Sequence, residues 1–324
     1  MKPYLYFQGL LDLAQEVDGS ETIHVGIRPY GFHAGNTVAL VIYPLLFCKY
    51  VQQAGTPVRF TFIVSINDWE QDALTGPDFR RYPFNIQPSN TTIYYLPDEE
   101  GCCASLIDHW QPRIEQEMRR ITDQFPNVTL KFIRNSMLID DPFSRQLLIR
   151  TITHPREFFE LFKANSDKET LDAPIQYATA TCPVCHSARG ETVCVDADTV
   201  TVKCVMCQSK TTGRMEDFQY WWYHKPLLLA RLKAFDVQLT LSGGDHFTEG
   251  DFNIRRALIE RYAPSYIEPR MLFTPTLIAE NGQKMSKSRN NTRIANTNTL
   301  LATLDGFMGE ELQITESLAL PEII

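Results

Sequence analysis

The stretch from Thr22 to Ile66 constrains the fold most. Thr22-Ile23-His24-Val25-Gly26-Ile27 alternates, with Ile23, Val25 and Ile27 on one face, which predicts a strand. Arg28-Pro29-Tyr30-Gly31-Phe32 stops it. His33-Ala34-Gly35-Asn36 then opens an apolar helical segment that runs to Ala54, with Gly55 as its C-terminal stop and a kink expected at Pro44. Val58 to Ile66 is rich in β-branched and aromatic residues and reads as a second, buried parallel strand. A strand, a helix and a parallel strand in succession predict an α/β chain. They also place His33-Ala34-Gly35-Asn36 at a helix N-terminus, where backbone N–H groups and the helix dipole favour anions. Gly35 leaves room for a flat base or a phosphate, and His33 and Asn36 offer hydrogen bonds to phosphate oxygens as charge builds up. The competing explanation is a capping turn with an incidental histidine.

Composition narrows the class without naming an activity. The 324 residues are enough for a large core, and 44% hydrophobic with 22% charged residues is the balance of a globular chain. The longest apolar run, Val38 to Cys48, is too short to span a bilayer, and the N-terminus has no signal-peptide pattern. No membrane partner is therefore expected, and a cytoplasmic location is. The net charge of −8 argues against a nonspecific nucleic-acid coat; Arg80-Arg81, Arg119-Arg120 and Arg255-Arg256 read as solvated faces.

Downstream, Asn67-Asp68-Trp69-Glu70 follows the second strand, where loops of an open α/β sheet carry ligands. Ser105 to Gln124 reads as a helix interrupted at Pro112, Val128 to Ile133 as a third strand, and residues 140–175 as polar with two helical pieces. Cys182-x-x-Cys185 and Cys204-x-x-Cys207 then supply four thiolates with the spacing of a closed, structural zinc ribbon, with His186 and Cys194 as weaker ligand candidates. Such a site stabilises a piece too small for its own core. Cys48, Cys102 and Cys103 are scattered elsewhere. Phe218 to His224 is an aromatic cluster, expected in the core or at a pocket wall. Phe235 to Leu241 reads as the next strand, ending in Ser242-Gly243-Gly244-Asp245-His246, where Gly243 would approach a nucleotide and Asp245 would take ribose hydroxyls. A helix over Glu249 to Arg261 and a strand over Arg270 to Phe273 precede the polar loop Gln283-Lys284-Met285-Ser286-Lys287-Ser288-Arg289.

Together the His-x-Gly-Asn turn, the Gly-Asp after a later strand and Lys284-Met285-Ser286-Lys287-Ser288 resemble a class I aminoacyl-tRNA synthetase, closest to the class I lysyl-tRNA synthetases. Val25 to Asn36 is similar to that family's Gly-Ile-x-Pro-Ser-Gly-x-x-His-Ile-Gly-Asn, and Pro97-Asp98-Glu99-Glu100-Gly101-Cys102 to its Pro-Asp-Pro-x-Gly-Cys. Gly243-Gly244-Asp245-His246 stands where the family has Gly-Lys-Asp-His. The resemblance implies a Rossmann-type parallel sheet with an inserted zinc-ribbon subdomain. The first half would cover residues 1–149, the connective insertion 150–225, with its ribbon at about 180–210, and the second half 226–324. It also implies ATP with Mg²⁺, attack of an amino-acid carboxylate on the α-phosphate, and transfer of the acyl group. By position, His33, Asn36, Lys284 and Lys287 would stabilise phosphate charge. Gly31, Gly35, Gly243, Asp245, Met285, Ser286 and Ser288 would contact the nucleotide. Gly26, Tyr30, Trp221, His224 and His246 would face the amino acid.

Three departures bear on the substrate. Only 36 residues follow Ser288, where the family has a helical anticodon-binding region. Tyr220-Trp221-Trp222-Tyr223-His224-Lys225-Pro226 replaces Pro-Trp-Arg-Val-Asp-Trp-Pro, so His224 stands in place of an acid suited to an ammonium. Tyr30 replaces a serine. The expectation is an ATP-dependent ligase whose acceptor is a small molecule, peptide or carrier protein. The alternatives are tRNA charged through its acceptor end and a non-catalytic binding subunit.

Overall fold

The computed structural model describes residues 3–27, 29, 34–70, 91–98, 100–123, 125–165, 176–248, 250–285 and 297–314. The chain begins with a short strand β1 (Tyr4–Leu5), helix α1 (Tyr6–Glu16) and strand β2 (Ser20–Ile27). Helix α2 (Ala34–Thr37) runs through a π-turn (Val38–Ile42) into α3 (Tyr43–Gln53). Pro44 lies in the first turn of α3, directly after a π-turn closed by the Tyr43 N–H on the Val38 carbonyl, where the N–H that proline lacks costs the helix least. The helix then stops before Gly55, whose φ of +78° suits glycine.

Strand β3 (Arg59–Ile66), helix α4 (Leu106–Thr122), strand β4 (Val128–Arg134), and helices α5 (Pro142–Thr153) and α6 (Pro155–Asn165) follow. Contrary to the sequence expectation, α4 continues through Pro112, which lies on its exposed side; Ser105 caps its start by accepting the Asp108 N–H. Five short strands come next: β5 (Ala178–Ala180), β6 (Gly190–Cys194), β7 (Thr199–Cys204), β8 (Lys210–Arg214) and β9 (Tyr220–Trp222). Strands β6, β7 and β8 form an antiparallel ribbon, and β5 pairs with β9.

The last part holds α7 (His224–Ala234), β10 (Leu239–Gly243), α8 (Gly244–Thr248), α9 (Asp251–Tyr262), β11 (Arg270–Thr274), β12 (Thr276–Ala279), α10 (Thr297–Leu304) and β13 (Glu311–Ile314). The strand expected from Phe235 starts only at Leu239. Phe235 caps α7 and Asp236 adopts φ +47°, so a turn consumes those residues.

Six parallel strands form the main sheet in the order β1-β11-β10-β2-β3-β4. The chain winds outward from β2 to β4 in one direction and from β10 to β11 in the other. The boundary between β2 and β10 is therefore the topological switch point, where open α/β sheets bind ligands at their carboxyl ends. The register makes that crevice explicit. Strand β2 pairs with β3 as far as Ile27, and β10 pairs with β11 as far as Gly243, but β2 and β10 pair only at Ile23–Leu239 and His24–Thr240.

The two faces of the sheet differ in kind. On one face Ile23, Val25, Ile27, Phe60, Phe62, Val64 and Ile66 join an apolar cluster with α1, α3, α4 and α10. Side chains alternate along a strand, so His24, Gly26 and Ser65 belong to the opposite face. There the sheet meets Arg231 of α7 and Arg255 of α9, both buried. Behind these helices lies a second apolar cluster, built from α5, α6, α7, α9, the ribbon's Val200 and Val202, and the Trp69, Tyr220 and Trp222 rings.

Candidate functional site

The segment joining β2 to α2 and the fold around Gly243 lie at the carboxyl ends of the two diverging strands. Among the expected site residues, Tyr30, Gly31, His33, Ser286, Lys287 and Ser288 lie outside the described residues. Gly35 and Asn36 are in α2, Gly243 ends β10, and Asp245 and His246 are in α8. Gly244 is required by the fold itself: a Cβ there would lie 2.5 Å from the Thr274 carbonyl oxygen and 3.1 Å from Thr276 Oγ1. The turn after β10 is thus pressed against the junction of β11 and β12. Strand β12 turns back through Gly282, at φ +73°, into Lys284 and Met285. Here the Met285 N–H donates to the Leu277 carbonyl at 2.8 Å, and the Ala279 N–H to the Gln283 carbonyl at 2.8 Å. Met285 packs its side chain against the first apolar cluster.

Beneath β2 a buried polar network fills the sheet's second face. His24 Nε2 lies 2.9 Å from Ser65 Oγ, and burial, with the charges of Arg231 and Arg255, pushes the ring's pKa down, so the imidazole is neutral. A Cβ on Gly26 would lie 3.4 Å from both Arg231 Nη1 and Ser65 Oγ, and 3.7 Å from Asn67 Oδ1. Arg231 Nη2 pairs with Glu70 Oε1 at 3.4 Å. Asp68 is fully buried; burial raises its carboxyl to about 6 against the opposing N–H of Ser136, which it accepts at 3.1 Å.

His224 opens α7 beside this network. Its side chain is exposed to solvent although protein crowds it. Desolvation, followed by the Lys225 charge, pushes its pKa down to about 3. Lys225 and His246 both bind Asp251, His246 Nδ1 at 2.7 Å from Asp251 Oδ2. Burial alone would raise Asp251, but the His246 hydrogen bond and the His246 and Lys225 charges hold it below the usual carboxylate range. Trp221 is half-buried on β9, where it pairs with Thr179, and its neighbours Tyr220 and Trp222 are in the core.

The four ribbon cysteines converge. Cys182 Sγ lies 3.6 Å from Cys207 Sγ and Cys185 Sγ 3.6 Å from Cys204 Sγ, and all four sulfurs lie within 4.8 Å of one another. Zinc–sulfur bonds of about 2.3 Å in a tetrahedron put sulfurs roughly 3.8 Å apart, so the set fits a zinc ion. Each knuckle is followed by a residue in the left-handed region, His186 at φ +59° and Gln208 at φ +58°. The Ser209 hydroxyl, 3.1 Å from Cys207 Sγ, and the Ser209 N–H pull that thiol down to about 6. The two weaker ligand candidates stand apart: the His186 ring stacks on Tyr95 with centroids 4.0 Å apart, and Cys194 packs against the second apolar cluster.

A second cluster is not apparent as a metal site in the sequence, although Asp98 and Cys102 stand in a motif quoted above. Asp98, Cys102, Cys103 and His109 bring one ligand atom each within 4.8 Å of the others, with His109 Nδ1 3.1 Å from Asp98 Oδ1 and 3.3 Å from Cys102 Sγ. Its donors also suit a metal ion such as zinc. The signal was the spacing Asp98-x3-Cys102-Cys103-x5-His109, split between a loop and the first turn of α4.

A family model described as tRNA synthetases class I (K) matches residues 14–301. Solved structures similar to the chain include tyrosyl-tRNA synthetase from Archaeoglobus fulgidus complexed with L-tyrosine (15% identity, TM-score 0.43), covering 88% of this chain and 64% of that one. Tyrosyl-tRNA synthetase from Leishmania major is 12% identical (TM-score 0.40), covering 87% and 30%. Methionyl-tRNA synthetase from Mycobacterium tuberculosis in complex with methionyl-adenylate is 11% identical (TM-score 0.41), covering 89% and 64%. The chain thus spans less than two thirds of each of these three proteins. Among curated proteins, no sequence matches.

Proposed function

The chain belongs to the class I tRNA synthetases (K), and from that premise we propose that it activates an amino acid with ATP and passes the acyl group to an acceptor. The amino-acid carboxylate attacks the α-phosphate, an aminoacyl-adenylate forms, and pyrophosphate leaves; Mg²⁺ entering with ATP would neutralise phosphate charge. The observation that carries this reading is the early end of the β2–β10 ladder at the switch point, with Gly35 and Asn36 following one strand and Gly243 and Asp245 the other. In this reading His33 and Asn36 bind phosphate oxygens, Asp245 takes the ribose, and Lys284 and Lys287 neutralise the transition state. Trp221, His224 and His246 face the amino acid. Zinc in the ribbon holds the second apolar cluster together, and the Asp98 set is a second metal site.

Amino-acid-dependent ATP–pyrophosphate exchange tests the first step. Lys287→Ala is expected to lose about 2–4 kcal/mol of barrier lowering; unchanged exchange removes Lys287 from the mechanism. A small molecule, peptide or carrier protein is the proposed acceptor. Acyl transfer to total tRNA, set against transfer to small amines and carrier-protein thiols, identifies it.

A further inference from the structure

His186 follows the first ribbon knuckle without joining its sulfurs, and its surroundings give it another role. Its backbone is left-handed at φ +59°, and its N–H donates to the Cys182 carbonyl at 2.8 Å, so the knuckle fixes where the ring points. The ring lies flat on Tyr95, with centroids 4.0 Å apart and planes inclined by 11°. The His186 carbonyl accepts the hydroxyl of buried Thr91 at 2.8 Å. Both contacts fall on one segment, Thr91 to Leu96, whose regular structure is a short turn at Ile93–Tyr95.

That segment holds the loop after β3. The Ile93 N–H donates to the Glu70 carbonyl at 3.1 Å, and the Tyr94 N–H to the Asp68 carbonyl at 2.9 Å. The base of the ribbon holds the same loop a second time. The Gln219 carbonyl accepts the Thr181 N–H at 2.7 Å, while the Gln219 side chain accepts the Trp69 Nε1–H at 2.8 Å. Thr181 immediately precedes Cys182, so both grips start from residues that flank one knuckle. A loop with no strand or helix of its own keeps its buried carbonyls in place only through such donors. The loop carries Glu70, whose carboxylate pairs with Arg231 at 3.4 Å, and Arg231 Nη1 lies 3.4 Å from where a Cβ on Gly26 would stand. Resting on the amino-acid-activation reading above, we propose that the ribbon positions the site: its closed knuckle, through His186 and Tyr95, holds the Asn67–Glu70 loop and with it Arg231 beneath Gly26. His186 and Tyr95 are positioning residues that act through Glu70.

The experiment uses the full chain and reads the Ile93 and Tyr94 amides by hydrogen exchange, alongside zinc content and ATP–pyrophosphate exchange. Tyr95→Ala and His186→Asn remove the stack, and asparagine tolerates the left-handed backbone. Each is expected to keep the native zinc content and the native protection of β6, β7 and β8, and to speed exchange of the two amides at least about tenfold. The kcat of ATP–pyrophosphate exchange should fall about tenfold with them. Tyr95→Phe, which keeps the stack, should be native in every measurement. Cys207→Ser opens the sulfur set away from the stack and should speed the same two amides. Native protection of Ile93 and Tyr94 in the stack variants or in Cys207→Ser overturns the proposal. Loss of protection in the stack variants that is equal across β6, β7 and β8 also overturns it, since the stack is then a plain fold contact. Fast amides with a native kcat overturn the link to the site. A native chain that exchanges pyrophosphate with no amino acid overturns the activation reading alone, because the two amides still decide whether the ribbon holds the loop.

Discussion

The two faces of the central sheet are built from different materials. On one, apolar residues of β2 and β3 meet apolar helices directly, with Phe60 and Phe62 on β3 and Leu10, Leu46 and Phe47 opposite. On the other, the same strands present His24, Gly26 and Ser65 to two buried arginines, and the apolar packing resumes only behind α7 and α9. A buried polar layer is a costly way to join a sheet to helices, since every charge must find a partner. Its position explains it: the layer lies under the carboxyl ends of β2 and β3, beside the crevice where β2 and β10 part. The apolar face holds the fold together, and the polar face gathers paired charged and hydrogen-bonding groups beside that crevice.

This contrast can be tested by breaking each side. The largest effect is expected at the support of the polar side. With zinc in the ribbon, as proposed above, a chelator should take away on the order of 10 kcal/mol of local folding free energy. The ribbon contributes Val200 and Val202 to the second apolar cluster, so amide exchange should rise in β6, β7 and β8 and then in α5. Exchange in α1 and α3 should stay slow.

On the apolar side, Phe62→Ala should cost about 3–5 kcal/mol in denaturant unfolding, because Phe62 is 2% exposed and its loss leaves a cavity. The smallest effect has the opposite sign. Burial raises Asp68 to about 6 from an ordinary value near 4. Its contribution to stability is therefore fully present below about pH 4 and lost as pH rises through about 6. Asp68→Asn, which keeps an acceptor for the Ser136 N–H, should flatten the stability profile between those values. Above pH 6 it should be more stable than the native chain by about 1–3 kcal/mol.

The sequence was most legible where packing is periodic or spacing is fixed. Strands β2 and β3 are legible nearly to the residue because their apolar face alternates, and the ribbon because two Cys-x-x-Cys units leave little freedom. The polar layer was not legible. Arg231 and Arg255 look like ordinary helix-surface residues until the sheet is placed beneath them, and no local pattern pairs Glu70 with a residue so distant in the chain. The Asp98 cluster escaped for a similar reason, since Cys102 and Cys103 show no knuckle spacing and His109 joins them only through the first turn of α4. Nothing in the sequence singles out Gly244 within Gly243-Gly244-Asp245-His246, because what demands glycine there is the backbone at Thr274.

The division of labour between the faces is tested most directly by ATP–pyrophosphate exchange per folded molecule, measured for the native chain, Phe62→Leu and Glu70→Gln. Phe62→Leu is expected to keep native exchange once its lower stability is allowed for. Glu70→Gln, which removes the ion-pair partner of Arg231 beneath Gly26, should lose at least about tenfold. Equal losses in both variants, full exchange in Glu70→Gln, or no exchange by the native chain with any amino acid would contradict the account.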